Sequence, residues 1–141
     1  MQLTHQSAIG EILQGVFQVY SQRVPDVQKI TSAMVSQGMV SGQSEIINDH
    51  IAFRTLGVPH LGIASFEKIF LAHGYEKRDY FYFEGKKLDA HWYAPPVDEL
   101  PRVFISELRV KDLSDQAQQI IGKYTGTLTA DPVDQLNLND V

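Results

Sequence analysis

The sequence predicts an α+β protein: two helices, then one β-α-β-β-β unit, then a last helix. Three observations carry this prediction. Apolar residues recur at helical spacing through the first forty positions, and the period changes to two from residue 46. Glycine- or proline-containing segments then separate the alternating runs, and the order of elements is that of an α+β chain.

Ile9, Ile12, Leu13, Val16, Phe17 and Tyr20 form one apolar stripe of a first helix. Pro25 suits the first position of a second, with Val27, Ile30, Met34 and Val35 expected inward and Gly38 as its stop. Ser41-Gly42-Gln43-Ser44 is a polar link. A strand is expected over 46–56, then a loop over 57–62 holding Pro59. Ser65 is the expected N-cap of a short helix with Phe66, Ile69 and Phe70 inward, and Gly74 fits the position just past its end. A second, aromatic strand follows over 75–83, and Glu84-Gly85-Lys86 is a hairpin-type turn. The third strand covers 87–93 and stops at Pro95-Pro96; the fourth covers 102–110. Ser114 caps a final helix carrying Ala117, Ile120, Ile121 and Tyr124, and the stretch 125–141 is polar without a period.

This organisation reads as a single domain over 1–141, or as the N-terminal portion of a longer one. It is helical over 1–40, has its βαβββ unit over 46–110, and carries a further helix over 114–124. No internal repeat is visible. One βαβββ unit gives a curved four-stranded sheet with an open concave face, and a second copy, in the same chain or another, is needed to close a pocket.

Composition bounds the chemistry. A chain of 141 residues with 43% hydrophobic and 21% charged residues can bury a real core. The net charge of −5 and the lack of any Lys/Arg run longer than Lys86-Lys87 argue against a nucleic-acid partner. There is no cysteine, which excludes disulfides, thiolate zinc and a cysteine nucleophile. A metal site would rest on His, Asp and Glu, a donor set suited to iron, manganese or zinc. The N-terminus lacks the basic start and apolar run of a signal peptide, and no stretch approaches the roughly 20 apolar residues of a membrane span. The expectation is a soluble cytoplasmic protein.

The candidate chemistry centres on the first strand. Alternation puts Ile47, Asp49, Ile51, Phe53 and Thr55 on one face and Asn48, His50, Ala52 and Arg54 on the other. A histidine can ligate a metal, and an arginine can take a carboxylate bidentately. Four residues of strand separate the two by about 13 Å at the backbone, a span that suits a small dicarboxylic acid. The same polar face is also what any half-exposed strand shows. On the fourth strand, Ile105, Glu107 and Arg109 share a face. Glu107 is a further metal-ligand candidate if that face meets His50, and otherwise part of an exposed pair or salt bridge. Asp89, His91 and Tyr93 share one face of the third strand. His60 and His73 read as surface residues, His5 is uninformative, and the aromatics Tyr75, Tyr80, Phe81, Tyr82, Phe83 and Trp92 read as core and interface. No phosphate-binding glycine loop, nucleophile elbow or HExxH helix is present.

Two stretches go further. Asn48-Asp49-His50-Ile51-Ala52-Phe53-Arg54-Thr55 and Pro101-Arg102-Val103-Phe104-Ile105-Ser106-Glu107-Leu108-Arg109-Val110, with Lys87-Leu88-Asp89-Ala90 between them, resemble the 2-oxoadipate dioxygenase/decarboxylase (2-hydroxyglutarate synthase) family over roughly Gln14 to Tyr124. The resemblance implies a vicinal-oxygen-chelate, glyoxalase-like fold built from βαβββ units. It implies a non-haem Fe(II) enzyme that converts 2-oxoadipate and O₂ to 2-hydroxyglutarate and CO₂ in lysine catabolism, another divalent metal remaining open. By the same resemblance His50 is a metal ligand and Arg54 holds the substrate carboxylate. The family's second histidine and its glutamate lie in a second βαβββ unit, and no residue here matches them. The chain is therefore expected to be a fragment, to pair with another chain (a homo-oligomer included), or to have lost catalysis. Two alternatives stand beside the dioxygenase: a metal-dependent lyase, isomerase or hydrolase on the same fold, and a non-catalytic half-module that binds a small acid through Arg54.

Overall fold

Residues 7–138 are described by the structure, a computed structural model. The described residues divide into two compact units, one comprising 7–49 and 97–101, the other 50–96 and 102–138.

The first unit is helical. Helix α1 (Ala8–Arg23) starts where the Ser7 side chain accepts the Gly10 N–H at 3.2 Å, and it buries Ile9, Leu13 and Phe17 from the predicted stripe. Val24 alone separates it from α2 (Pro25–Ser36), which opens on Pro25. Gly38 takes a φ of 70°, and the Met39 N–H reaches back to the Met34 carbonyl at 3.0 Å, closing α2 as its glycine predicted. The expected inner face of α2 is not realised. None of its residues is buried, and Ile30 is 62% exposed. A short 3-10 turn at Gln43–Glu45 is tied to α2 by Gln43, whose amide donates to the Thr31 hydroxyl at 3.1 Å.

The second unit is the βαβββ module: β1 (His50–Leu56), α3 (Ile63–Ala72), β2 (Glu76–Phe83), β3 (Leu88–Ala94) and β4 (Arg102–Leu108), followed by α4 (Asp115–Thr125). The sheet order is β1-β4-β3-β2, with β1 parallel to β4 and the other pairs antiparallel. The first strand begins at His50 rather than 46, so Asn48 precedes it. A bulge between Lys77 and Tyr80 resets β2, after which Phe81 and Phe83 pair with Ala90 and Leu88.

One face of the sheet is covered by α3. Phe53 meets Phe66 and Phe70 at ring-centroid distances of 5.0 and 5.6 Å, and Tyr75 packs edge-on to Phe70 at 5.5 Å. Phe70 is 2% exposed, and truncating such a ring costs about 3–5 kcal/mol. Exposed ion pairs of this module, such as Arg78 with Glu76, contribute about 1 kcal/mol at most, so the aromatic layer decides its stability. Tyr93, fully buried, donates its hydroxyl to Glu67 of α3 at 2.5 Å, and burial pushes that phenol's pKa up.

Helix α3 departs from its predicted start. It begins at Ile63, after Gly62 at a φ of 91°, and Ser65 lies inside its first turn instead of capping it. Gly74 does occupy the left-handed position past its end, at a φ of 83°. Ser65 instead donates to Asp131 at 2.7 Å, and Lys68 reaches the same carboxylate at 2.7 Å. These bonds hold a 3-10 turn at Pro132–Gln135, with Val133 buried, in a stretch with no period in the sequence. The expected caps elsewhere are present: Ser114 accepts the Ala117 N–H at 3.3 Å.

Lys68, Ser65 and the Val133 N–H lower the Asp131 pKa from its ordinary 3.8 to about 2. A depressed folded-state pKa contributes stability that is complete above the unfolded value and lost as the pH falls through the folded one. Amide exchange over 131–136 should therefore stay slow above pH of about 4 and lose protection between about 4 and 2. Asp131→Asn should bring fast exchange at neutral pH.

Candidate functional site

The parallel register of β1 on β4 fixes which side chains meet. It pairs His50 with Arg102, Ala52 with Phe104, Arg54 with Ser106 and Leu56 with Leu108. These residues, with Leu88, Ala90 and Trp92 of β3 and with Phe81 and Phe83 of β2, share the face opposite α3. His50 and Arg54 are both exposed there, two positions to either side of Ala52. The predicted pairing of these two on one face is what the structure shows.

Arg54 makes no ion pair among the described residues. Its hydrogen bond runs from Nε to the Ser106 hydroxyl at 3.5 Å, and among the described residues no carboxylate pairs with it. Three other cations of the module are engaged by carboxylates. Arg109 is held through Nε by Asp112 and through Nη1 by Asp89 at 3.0 Å, Lys77 pairs with Glu67 at 2.8 Å, and Lys68 pairs with Asp131 and Asp134. An arginine left without a counter-ion on a sheet face is available to an external anion.

Beside it lies an apolar patch that the aromatic runs did not locate. Phe104 contacts Phe81 and Phe83 at 6.0 and 6.5 Å across Ala90, which is fully buried beneath. Phe104 is also the register partner of Ala52, so an apolar strip borders the space between His50 and Arg54.

Glu107 does not join this site. Strand alternation turns it to the α3 face opposite Thr55, and its carboxylate accepts the Ile63 N–H at 2.7 Å. It thereby caps α3 in place of Ser65, and a Cβ on Gly62 would come within 2.6 Å of it. Its candidacy as a partner of His50 fails on that geometry. Asp89, His91 and Tyr93 also face away from His50: Asp89 accepts from Tyr80 and Arg109, and His91 donates through Nδ1 to the Arg78 carbonyl at 3.1 Å. His73 is half-buried, with Nδ1 donating to the Ile69 carbonyl at 2.6 Å, and His60 is an exposed loop residue at a φ of 67°. His5 lies outside the described residues.

Among the described residues no three His, Asp or Glu side chains converge as a metal site. His50 offers one donor, and the described residues do not by themselves fit a complete iron centre.

The comparisons place this module among known proteins. The family model for 2-oxoadipate dioxygenase/decarboxylase matches residues 12–139. The chain belongs to that family. A 2-oxoadipate dioxygenase/decarboxylase of Oryza sativa is 38% identical over 126 residues, covering 82% of this chain and 34% of the relative. The crystal structure of the Oryza sativa hydroxyglutarate synthase in complex with 2-oxoadipate superposes with a TM-score of 0.76 at 35% identity, covering 89% of this chain and 43% of that one. A glyoxalase-superfamily structure from Ralstonia eutropha has a TM-score of 0.70 at 23% identity, covering 84% of this chain and 38% of its own, a likeness of fold. The α+β, glyoxalase-like reading therefore holds, and the chain spans about a third of the length of the rice relative. The expectation of a cytoplasmic protein is corrected by the same comparison, because the rice relative is chloroplastic/amyloplastic. No helix among the described residues is long and apolar enough to cross a membrane.

The position of Glu107 makes a clear prediction. Glu107→Ala should destabilise the module by about 1–3 kcal/mol through the lost charge-assisted bond to Ile63, read as a lower midpoint in urea. Its metal content after reconstitution should match that of the unaltered protein.

Proposed function

We propose that this chain supplies the substrate-anchoring half of a non-haem Fe(II) dioxygenase/decarboxylase that acts on a 2-oxo dicarboxylic acid. The preferred substrate is 2-oxoadipate, converted with O₂ to 2-hydroxyglutarate and CO₂ as a step of lysine breakdown. The observation that carries this reading is Arg54, without a carboxylate partner among the described residues, on the same sheet face as His50. The named activity of the rice relatives supports it.

In this reading His50 contributes one imidazole ligand, and the remaining ligands come from a second βαβββ unit, in the same polypeptide or a partner. Bound Fe(II) would supply O₂ activation beside the 2-oxo acid. The rest is done by the chain itself. Arg54 takes the distal carboxylate through its paired N–H groups, which lysine cannot match in geometry. The substrate's methylene chain runs over Ala52 and along Phe104, where apolar surface leaves water and is stabilised by about 25 cal/mol per Å² buried. Anchoring at the far end restricts the rotation of the reacting end, which raises the fraction of bound acid in productive geometry.

The complete metal-loaded protein should consume O₂ only when a 2-oxo acid is supplied. His50→Ala should reduce that uptake by more than about 100-fold, beyond what losing a ligand's supporting partner costs. Arg54→Ala should raise KM for 2-oxoadipate about 10–100-fold, the loss of a charge-assisted pair. Undiminished O₂ uptake in His50→Ala would contradict the reading, and turnover with zinc but not iron would point to a lyase or hydrolase.

A further inference from the structure

Ser106 is one of two polar residues that the described part of the chain buries, the other being Ser65. It is 4% exposed, on a strand that also buries Val103 and Ile105. A buried hydroxyl needs partners, and those of Ser106 are close by: it donates to the Phe53 carbonyl at 3.4 Å and accepts from Arg54 Nε at 3.5 Å. Both contacts are long, so together they stabilise the fold little, and a small apolar residue would serve packing as well. The hydroxyl matters for where it holds Arg54.

A guanidinium has five N–H donors in a rigid plane, so a bond at Nε fixes the direction of the Nη1/Nη2 edge. Two arginines of the sheet region, Arg109 and Arg54, show the alternatives. Arg109 is gripped by two carboxylates, Asp112 at Nε and Asp89 at Nη1, and its charge is matched within the module. Arg54 is held at Nε by a neutral group, so it is oriented without being neutralised. An aspartate or glutamate at 106 would occupy the guanidinium as Asp112 and Asp89 occupy Arg109. Strand register makes the arrangement possible, since Arg54 and Ser106 are direct neighbours across β1 and β4.

We infer that Ser106 is a positioning residue for anion recognition: it aims the free edge of Arg54 at the distal carboxylate of the acid and leaves that charge unspent. The inference rests on the reading of Arg54 as the carboxylate anchor. It places the discrimination between dicarboxylic and monocarboxylic 2-oxo acids in the Arg54–Ser106 pair rather than in Arg54 alone.

The test compares 2-oxoadipate with 2-oxohexanoate, which has the same chain length and no distal carboxylate, on the complete metal-loaded protein. Ser106→Ala should raise KM for 2-oxoadipate about tenfold with kcat within about twofold, a loss confined to binding. KM for 2-oxohexanoate should not move. Ser106→Cys, close in size but a weak acceptor, should shift KM for 2-oxoadipate in the same direction, which separates the hydrogen bond from packing. Arg54→Ala runs beside them. If Arg54→Ala raises KM for 2-oxoadipate while Ser106→Ala leaves it unchanged, or if Ser106→Ala raises KM for both acids alike, the inference is overturned and the Arg54 anchor stands. If Arg54→Ala leaves both KM values unchanged, the anchor fails and the inference falls with it.

Discussion

Parallel pairing of β1 with β4, in the register that sets Arg54 against Ser106, is the constraint on which the rest of the module depends. Because side chains alternate along a strand, that register decides everything about partnership at once. It sends Phe53 and Ile105 under α3 with Thr55 and Glu107, and it sends His50, Ala52, Arg54, Phe104 and Ser106 to the other face. A slip by one residue would put Arg54 into the aromatic layer and Phe53 outside it. The ring contacts among Phe53, Phe66 and Phe70 therefore protect the site as well as the fold.

The two faces also divide the electrostatics. On the helix side, charges are spent inside the module. Glu107 takes the first N–H of α3, Glu67 serves Tyr93 and Lys77, and Asp131 draws Ser65 and Lys68 together. These groups fix where α3 and the 3-10 turn lie. On the opposite face Arg54 is supported only by a hydroxyl among the described residues. A charge satisfied internally contributes to stability and cannot bind anything else; one left open costs little on an exposed strand and is available to a ligand. The difference between Arg109 and Arg54 is of this kind.

Much of this was legible in the sequence, because it depends on local spacing. The period of two through His50 and Arg54, the glycines at 38 and 74, Pro25 and the Ser114 cap each act over a few residues, and each is found where expected. What was not legible depends on distant partners. Glu107 displaces Ser65 as the cap of α3 because a residue 44 positions away is brought to Ile63 by the sheet. The apolar stripe of α2 implied a buried face, but a periodic pattern does not say what covers it, and Ile30 is exposed in this chain. The apolar patch over Ala90 required knowing that a bulge in β2 returns Phe81 to the face of Phe104. Of the proposed site, the face shared by His50 and Arg54 was visible from alternation, and the roles proposed for them come from the family resemblance. The orienting partner of Arg54 was not, since a serine in a strand carries no signal of its own.

In the proposed function, one sheet face of this module presents a metal ligand and a carboxylate anchor together. An anaerobic crystal structure of the complete iron-loaded protein with 2-oxoadipate would test it most directly. The His50 imidazole is expected in the coordination sphere, with the Nη1/Nη2 edge of Arg54 on the distal carboxylate. Iron bound without His50, or the distal carboxylate held away from Arg54, would contradict it.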